Sequence, residues 1–167
     1  MTCEVIDPAP RQHHREAGSD AAPADAVTLI HEEPFMSILH PSPFLRQILF
    51  ADALASGACG VLMLGGSSLL AGPLGLPSTL LQISGLVLIP YAALVALLAR
   101  RPAMPRAFVW AVVLCNAVWA ADSVLLLVSG WVSPTALGTA FVIAQAAVVA
   151  LFVELQATGL KRSASPA

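Results

Sequence analysis

The chain has 167 residues, of which 57% are hydrophobic and only 11% charged, and its formal net charge is −2. A soluble domain carries about a quarter charged residues, so this composition excludes an ordinary water-soluble globule. No basic run with interleaved aromatics occurs, so the sequence offers no nucleic-acid-binding surface.

Residues 1–42 form the first compositional regime. They are rich in Pro, Ala, His and acids, and hold seven of the ten acidic residues (Glu4, Asp7, Glu16, Asp20, Asp25, Glu32, Glu33). Such a segment cannot bury enough apolar area to offset the entropy of ordering it, and it reads as a disordered, acidic cytoplasmic tail. The more apolar 27–40 stretch could lie on a membrane surface as a short helix interrupted by Pro34; alternatively, Met36 is the true start. No positive stretch followed by an apolar one marks a cleaved signal peptide, so the first long apolar segment serves as the insertion signal. His13, His14, His31 and His40 all fall in this tail, and Cys3, Cys59 and Cys115 have neither ligand nor redox spacing. No phosphate loop, nucleophile elbow or zinc-protease motif appears. The sequence therefore points to no catalytic residue, no cofactor and no metal, and to a protein that is not an enzyme.

Four long apolar segments follow, at about 46–71, 78–100, 106–129 and 133–158. Each has about the ~20 residues with which a helix crosses ~30 Å of hydrocarbon. The predicted fold class is all-α: an integral membrane four-helix bundle over residues 43–162, with a disordered end at 163–167. Short connections make consecutive helices antiparallel neighbours, hence two hairpins. Small residues at Ala53 and Gly57, at Ser56 and Gly60, and at Ala136, Ala140 and Ala144 have the spacing that lets helix backbones approach closely. Pro90 removes a donor inside the second helix and predicts a kink there. Ala51-Asp52-Ala53 is echoed by Cys115-Asn116-Ala117, and Pro77-Ser78-Thr79 by Ser133-Pro134-Thr135, as in two parallel repeats.

Orientation follows from charge. Arg46, Arg100, Arg101, Arg106, Lys161 and Arg162 flank one side of the segments, whereas the connections 72–78 and 130–133 carry none. Lys and Arg are retained in the cytoplasm, so both termini are expected there. Trp131 and Phe44 sit where interfacial anchors belong.

Three acids lie within the segments. Asp52 and Glu154, near the basic ends, are expected in an interfacial ion belt with Arg46, Arg100, Arg101 and Arg106. Asp122 is ~24 Å from Arg106 at ~1.5 Å per residue, on the uncharged side where no cation can pair with it. Its prospective partners are Gln82, Ser123, Ser133 and Thr135, and Trp119 could shield it. It is either a carboxyl hydrogen-bonded between helices or a proton or cation relay. Asn116 and Gln145 are expected to bond each other as polar glue, or else to build a wet cavity with Asp52 and Tyr91.

The text Asn116-Ala117-Val118-Trp119, then Ser129-Gly130-Trp131-Val132-Ser133-Pro134-Thr135-Ala136-Leu137-Gly138, Ala144-Gln145-Ala146 and Glu154-Leu155-Gln156 resembles a family of small, uncharacterised four-pass bacterial inner-membrane proteins. The resemblance covers about residues 45–162 and leaves out the tail. It implies a bacterial inner membrane and four helices, and brings no activity or site residues with it. Two functions stay open. One is a structural or interaction protein whose partners are membrane lipids and a homo-oligomer or larger membrane complex. The other is a proton- or cation-coupled transporter or channel subunit using Asp122 within an oligomer. A third, a lipid or quinone site at Pro90 and Tyr91, has less support.

Overall fold

The computed structural model describes residues 37–163. Within that range the chain folds as β1 (Ile38–Leu39), α1 (Pro43–Gly65), α2 (Ser67–Leu74), α3 (Ser78–Arg100), β2 (Met104–Pro105), α4 (Arg106–Val128) and α5 (Ala136–Ser163). Helices α1, α3, α4 and α5 are each long and apolar enough to cross a membrane. Their outer faces carry Leu54, Leu86, Leu94, Leu114, Leu125 and Leu151, all more than half exposed. Exposed leucine on this scale is at home against lipid and would be a liability in water. The chain is a multi-pass membrane protein by this measure.

Helix α1 packs mainly on α3, and α4 on α5; the two pairs join through α1 with α5 and through α2, while α3 and α4 approach each other little. The α1–α3 pair is antiparallel. Arg46 Nε donates to the Ala99 carbonyl at one end, and a Cβ on Gly57 would lie 3.5 Å from Ala92. Further along, a Cβ on Gly85 would lie 2.6 Å from the Leu64 nitrogen and 2.7 Å from the Gly60 carbonyl oxygen, so the two backbones cross there in near contact. Ala53, Ser56 and Gly60 are on the buried stripe of α1 as their spacing predicts. The alanine series of α5 is not: Ala136, Ala140 and Ala144 are exposed. Small side chains permit close packing but do not compel it, and here α5 approaches its neighbours through Gly138 and Gly159 instead.

The first predicted segment, 46–71, is two helices. At Gly66 the backbone takes φ −99° and ψ 5°, and its N–H closes α1 on the Leu62 carbonyl. A new helix, α2, then runs to Gly75, whose φ of 64° is left-handed. Glycine adopts that conformation without a Cβ penalty. A side chain at Gly75 would also strike the Ser133 oxygen and Thr135 nitrogen, each 2.8 Å from the Cβ position. At this uncharged end the two connections interlock. Thr135 Oγ1 donates to the Pro73 carbonyl at 2.6 Å, and Thr135 N–H donates to the Leu74 carbonyl at 3.0 Å. The same Thr135 hydroxyl accepts from Gly138 N–H at 3.1 Å, capping α5.

The charged end is tied as well. Ile38 pairs antiparallel with Pro105 and Leu39 with Met104, and Leu39 and Met104 are both buried. Ser42 caps α1 by accepting from Leu45 N–H at 3.2 Å. Its own N–H donates to Ser163 Oγ at 3.0 Å. The predicted disordered tail therefore ends too late at 42, because residues 37–42 supply backbone partners to the α3–α4 connection and to α5. The predicted disordered end likewise begins too early, since Ser163 is the last residue of α5. The tail reading for 1–36, a Met36 start, and the end at 164–167 lie outside the described residues. Helix α3 stays continuous across Pro90.

Candidate functional site

Asp52 belongs to the inward stripe of α1, with Leu45, Leu49, Ala53 and Ser56. Offsets of three and four residues stack these side chains on one helix face, so the carboxyl is carried into the interior. Asn116 continues the stripe of Val109, Val112 and Val113 on α4. Gln156 precedes buried Gly159 and Leu160 on α5. Tyr91, the residue after Pro90, projects from α3. Their depths match. Asp52 lies nine residues from Pro43, Tyr91 nine from Arg100, Asn116 ten from Arg106 and Gln156 seven from Ser163. At ~1.5 Å per residue all four sit ~10–15 Å from the charged end.

They meet in a single hydrogen-bonded cluster. Asp52 Oδ2 accepts from Gln156 Nε2 at 2.7 Å, Asn116 Nδ2 at 2.8 Å and the Tyr91 hydroxyl at 3.2 Å. Ser56 Oγ, one turn along α1, donates to Oδ1 at 3.2 Å. Tyr91 lies 2.9 Å from Asn116 Oδ1, and Asn116 Nδ2 also reaches Gln156 Oε1 at 3.3 Å. A phenol has one proton, so Tyr91 serves Asp52 or Asn116 in turn. Its long ring bridges the gap between α3 and α4 that the backbones leave. Asp52 and Gln156 are wholly buried and Asn116 is 3% exposed. No buried side-chain nitrogen or oxygen among the described residues lacks a partner. All four long helices contribute: α1 gives Asp52 and Ser56, and α3, α4 and α5 give Tyr91, Asn116 and Gln156.

This arrangement corrects the interfacial ion belt. Asp52 is not in it: the carboxyl is satisfied by neutral donors and needs no arginine. Arg46 is spent on the Ala99 carbonyl, and its neighbour Arg162 stands 5.3 Å over the Phe44 ring. Glu154, Arg100 and Arg101 are exposed and Arg106 is half-buried, and no ion pair joins these side chains among the described residues. The expected Asn116–Gln145 bond is also replaced. Of the residues suggested for a polar cavity, Asn116, Asp52 and Tyr91 do come together, with Gln156 where Gln145 was expected. Gln156 was missed because the predicted segment stops at about 158, which leaves it at the helix end. The signal that could have found it is depth: α5 runs to Ser163, which returns Gln156 to the level of Asp52.

No family model, curated protein or solved structure matches this chain.

The remaining polar candidates occupy the opposite half. Asp122 is exposed, six residues from the end of α4 at Val128, and has no hydrogen bond or ion pair among the described residues. Gln82 is not its partner, because Gln82 Nε2 donates to Ser67 Oγ at 3.2 Å. Ser123 Oγ donates to the Trp119 carbonyl and Thr135 to Pro73, so neither hydroxyl proton is free for Asp122. Asp122 and Gln145 instead line a cleft of about 540 Å³ bounded by α3, α4 and α5, with walls from Leu81, Ser84, Trp119, Trp131 and Phe141. A second hollow of about 250 Å³ shares Trp119, Phe141 and Gln145 with it and reaches Ser56.

Proposed function

We propose that this chain is a non-enzymatic membrane protein with a structural or assembly role, in which the Asp52 cluster clasps two helix hairpins into one unit. The supporting observation is the closure of that cluster. Four donors, one from each long helix, converge on two carboxyl oxygens; Asp52 and Gln156 are wholly buried, and no buried side-chain nitrogen or oxygen among the described residues is left unpaired. A buried polar network with all members satisfied rigidifies a fold and specifies one packing. The charge-free turns and the basic ends favour a topology with both termini in the cytoplasm. The resemblance of the second hairpin's text supports a bacterial inner membrane as its site, with lipids and a homo-oligomer or larger complex as partners.

A second reading is favoured by one observation. Asp122 is unpaired among the described residues and faces a cleft, as a residue in a small proton- or cation-coupled transporter would. The deciding experiment is proton and potassium flux in liposomes carrying the purified full chain or its Asp122→Asn variant. The assembly reading expects wild-type traces equal to empty liposomes. Flux in the wild type that Asp122→Asn abolishes, with the variant still folded, replaces it with transport.

A further inference from the structure

The cleft bounded by α3, α4 and α5 is unused by the clasp, and its chemistry is specific. At about 540 Å³ it falls in the ~300–1,000 Å³ range of sites for drug-sized molecules. It is also too small to seat a two-chain lipid. Its walls are mostly apolar, and its polar groups are few: the carboxyl of Asp122, the amide of Gln145 and the hydroxyls of Ser84, Ser123 and Ser129. Trp119 and Trp131 present indole rings to the same space. All six basic residues among those described (Arg46, Arg100, Arg101, Arg106, Lys161, Arg162) lie at the other end of the bundle. The cleft thus combines one uncompensated carboxyl with aromatic faces, inside a mostly apolar pocket.

We infer that this cleft binds an apolar organic cation of the quaternary ammonium or phosphonium class, with its charge on Asp122 and its apolar groups against Trp119 and Phe141. The charge complementarity has two parts. The carboxylate neutralises the cation, and an indole face attracts it through the ring quadrupole. Both gain strength where water is scarce, because a low dielectric scales up every such interaction. A lipid headgroup is not the occupant. Asp122 lies six residues inside the end of α4, ~9 Å below the level at which headgroups sit. The inference goes beyond the assembly reading and does not depend on flux, since binding needs neither a pathway nor an oligomer.

The test uses the purified full chain in detergent and radiolabelled tetraphenylphosphonium as the probe, by equilibrium dialysis. Wild type is expected to bind it saturably, one per chain, with uncharged triphenylphosphine oxide failing to compete. Asp122→Asn, an exposed position that keeps shape and loses charge, should weaken binding at least tenfold, while Glu154→Gln leaves it unchanged. Quenching of tryptophan fluorescence by the probe should weaken in Trp119→Phe, disappear in the Trp119→Phe, Trp131→Phe double variant and persist in Trp110→Phe. Non-saturable uptake by wild type, as expected if lipid chains or a second copy fill the cleft, overturns the proposal. So does an Asp122→Asn variant that binds like wild type, or equal competition by the neutral oxide.

Discussion

Replacing Asn116 by Leu is the sharpest probe of the clasp. The amide makes three contacts: Nδ2 to Asp52 at 2.8 Å and to Gln156 Oε1 at 3.3 Å, and Oδ1 from Tyr91 at 2.9 Å. Hydrogen bonds between membrane helices average ~0.6 kcal/mol each, so their direct loss costs about 2 kcal/mol. Leu keeps the branched skeleton of Asn but has bulkier methyl groups, so any packing strain adds to the cost. The stranded groups matter more. Tyr91 can turn wholly to Asp52, but Gln156 Oε1 loses its donor in a wholly buried site, at ~1–3 kcal/mol. The expected total is about 3–5 kcal/mol. Reversible unfolding of the purified full chain in mixed micelles, followed by circular dichroism, measures it against Gln145→Leu. Gln145 has no hydrogen bond among the described residues, so that substitution should change stability by less than ~1 kcal/mol. An Asn116→Leu cost below ~1 kcal/mol, or a Gln145→Leu cost as large as that of Asn116→Leu, would refute the clasp.

Gly85→Ala should destabilise by ~1–3 kcal/mol through overpacking against Leu64 and Gly60, whereas Ala140→Leu, on an exposed face, should leave thermal stability in detergent unchanged. A chain starting at Met36 should be as stable as the full chain; one starting at Pro43 loses the Ser42 cap, worth ~1 kcal/mol, together with the Leu39–Met104 contact, and should melt earlier. A reporter enzyme active only outside the cytoplasm should be active when fused after Trp131 and silent after Ala167, and the reverse pattern would invert the topology.

The four long apolar helices and their pairing were legible in the sequence, because length and hydropathy are properties of single segments and short connections make neighbours of consecutive helices. Azimuth and register were harder. The Gly65-Gly66 pair inside a run long enough for one span carried the signal for the α1–α2 break, but hydropathy does not register it. Asp52 was judged by its distance from Arg46, although its offsets from Leu49 and Ser56 put it on the inward face. The echo between Asp52 and Asn116 in the two hairpins proved informative in an unexpected way: the structure sets those two side chains in direct contact. Whether a small residue packs or faces outward depends on the neighbouring helix, which is why the α5 alanines misled while Gly60 did not.

The clasp also imposes a timetable. Asp52 and its best donor, Gln156, are 104 positions apart along the chain. At ~5–20 residues per second of synthesis, the carboxyl is made ~5–20 s before its last partner. Its donors arrive in order: Ser56 on its own helix, Tyr91 39 positions after it, Asn116 64 positions after it and Gln156 last. A charge held in hydrocarbon costs ~2.5–3.5 kcal/mol on insertion scales. Each later helix therefore offsets part of that cost, and the full set of donors is complete only when the final helix has been made.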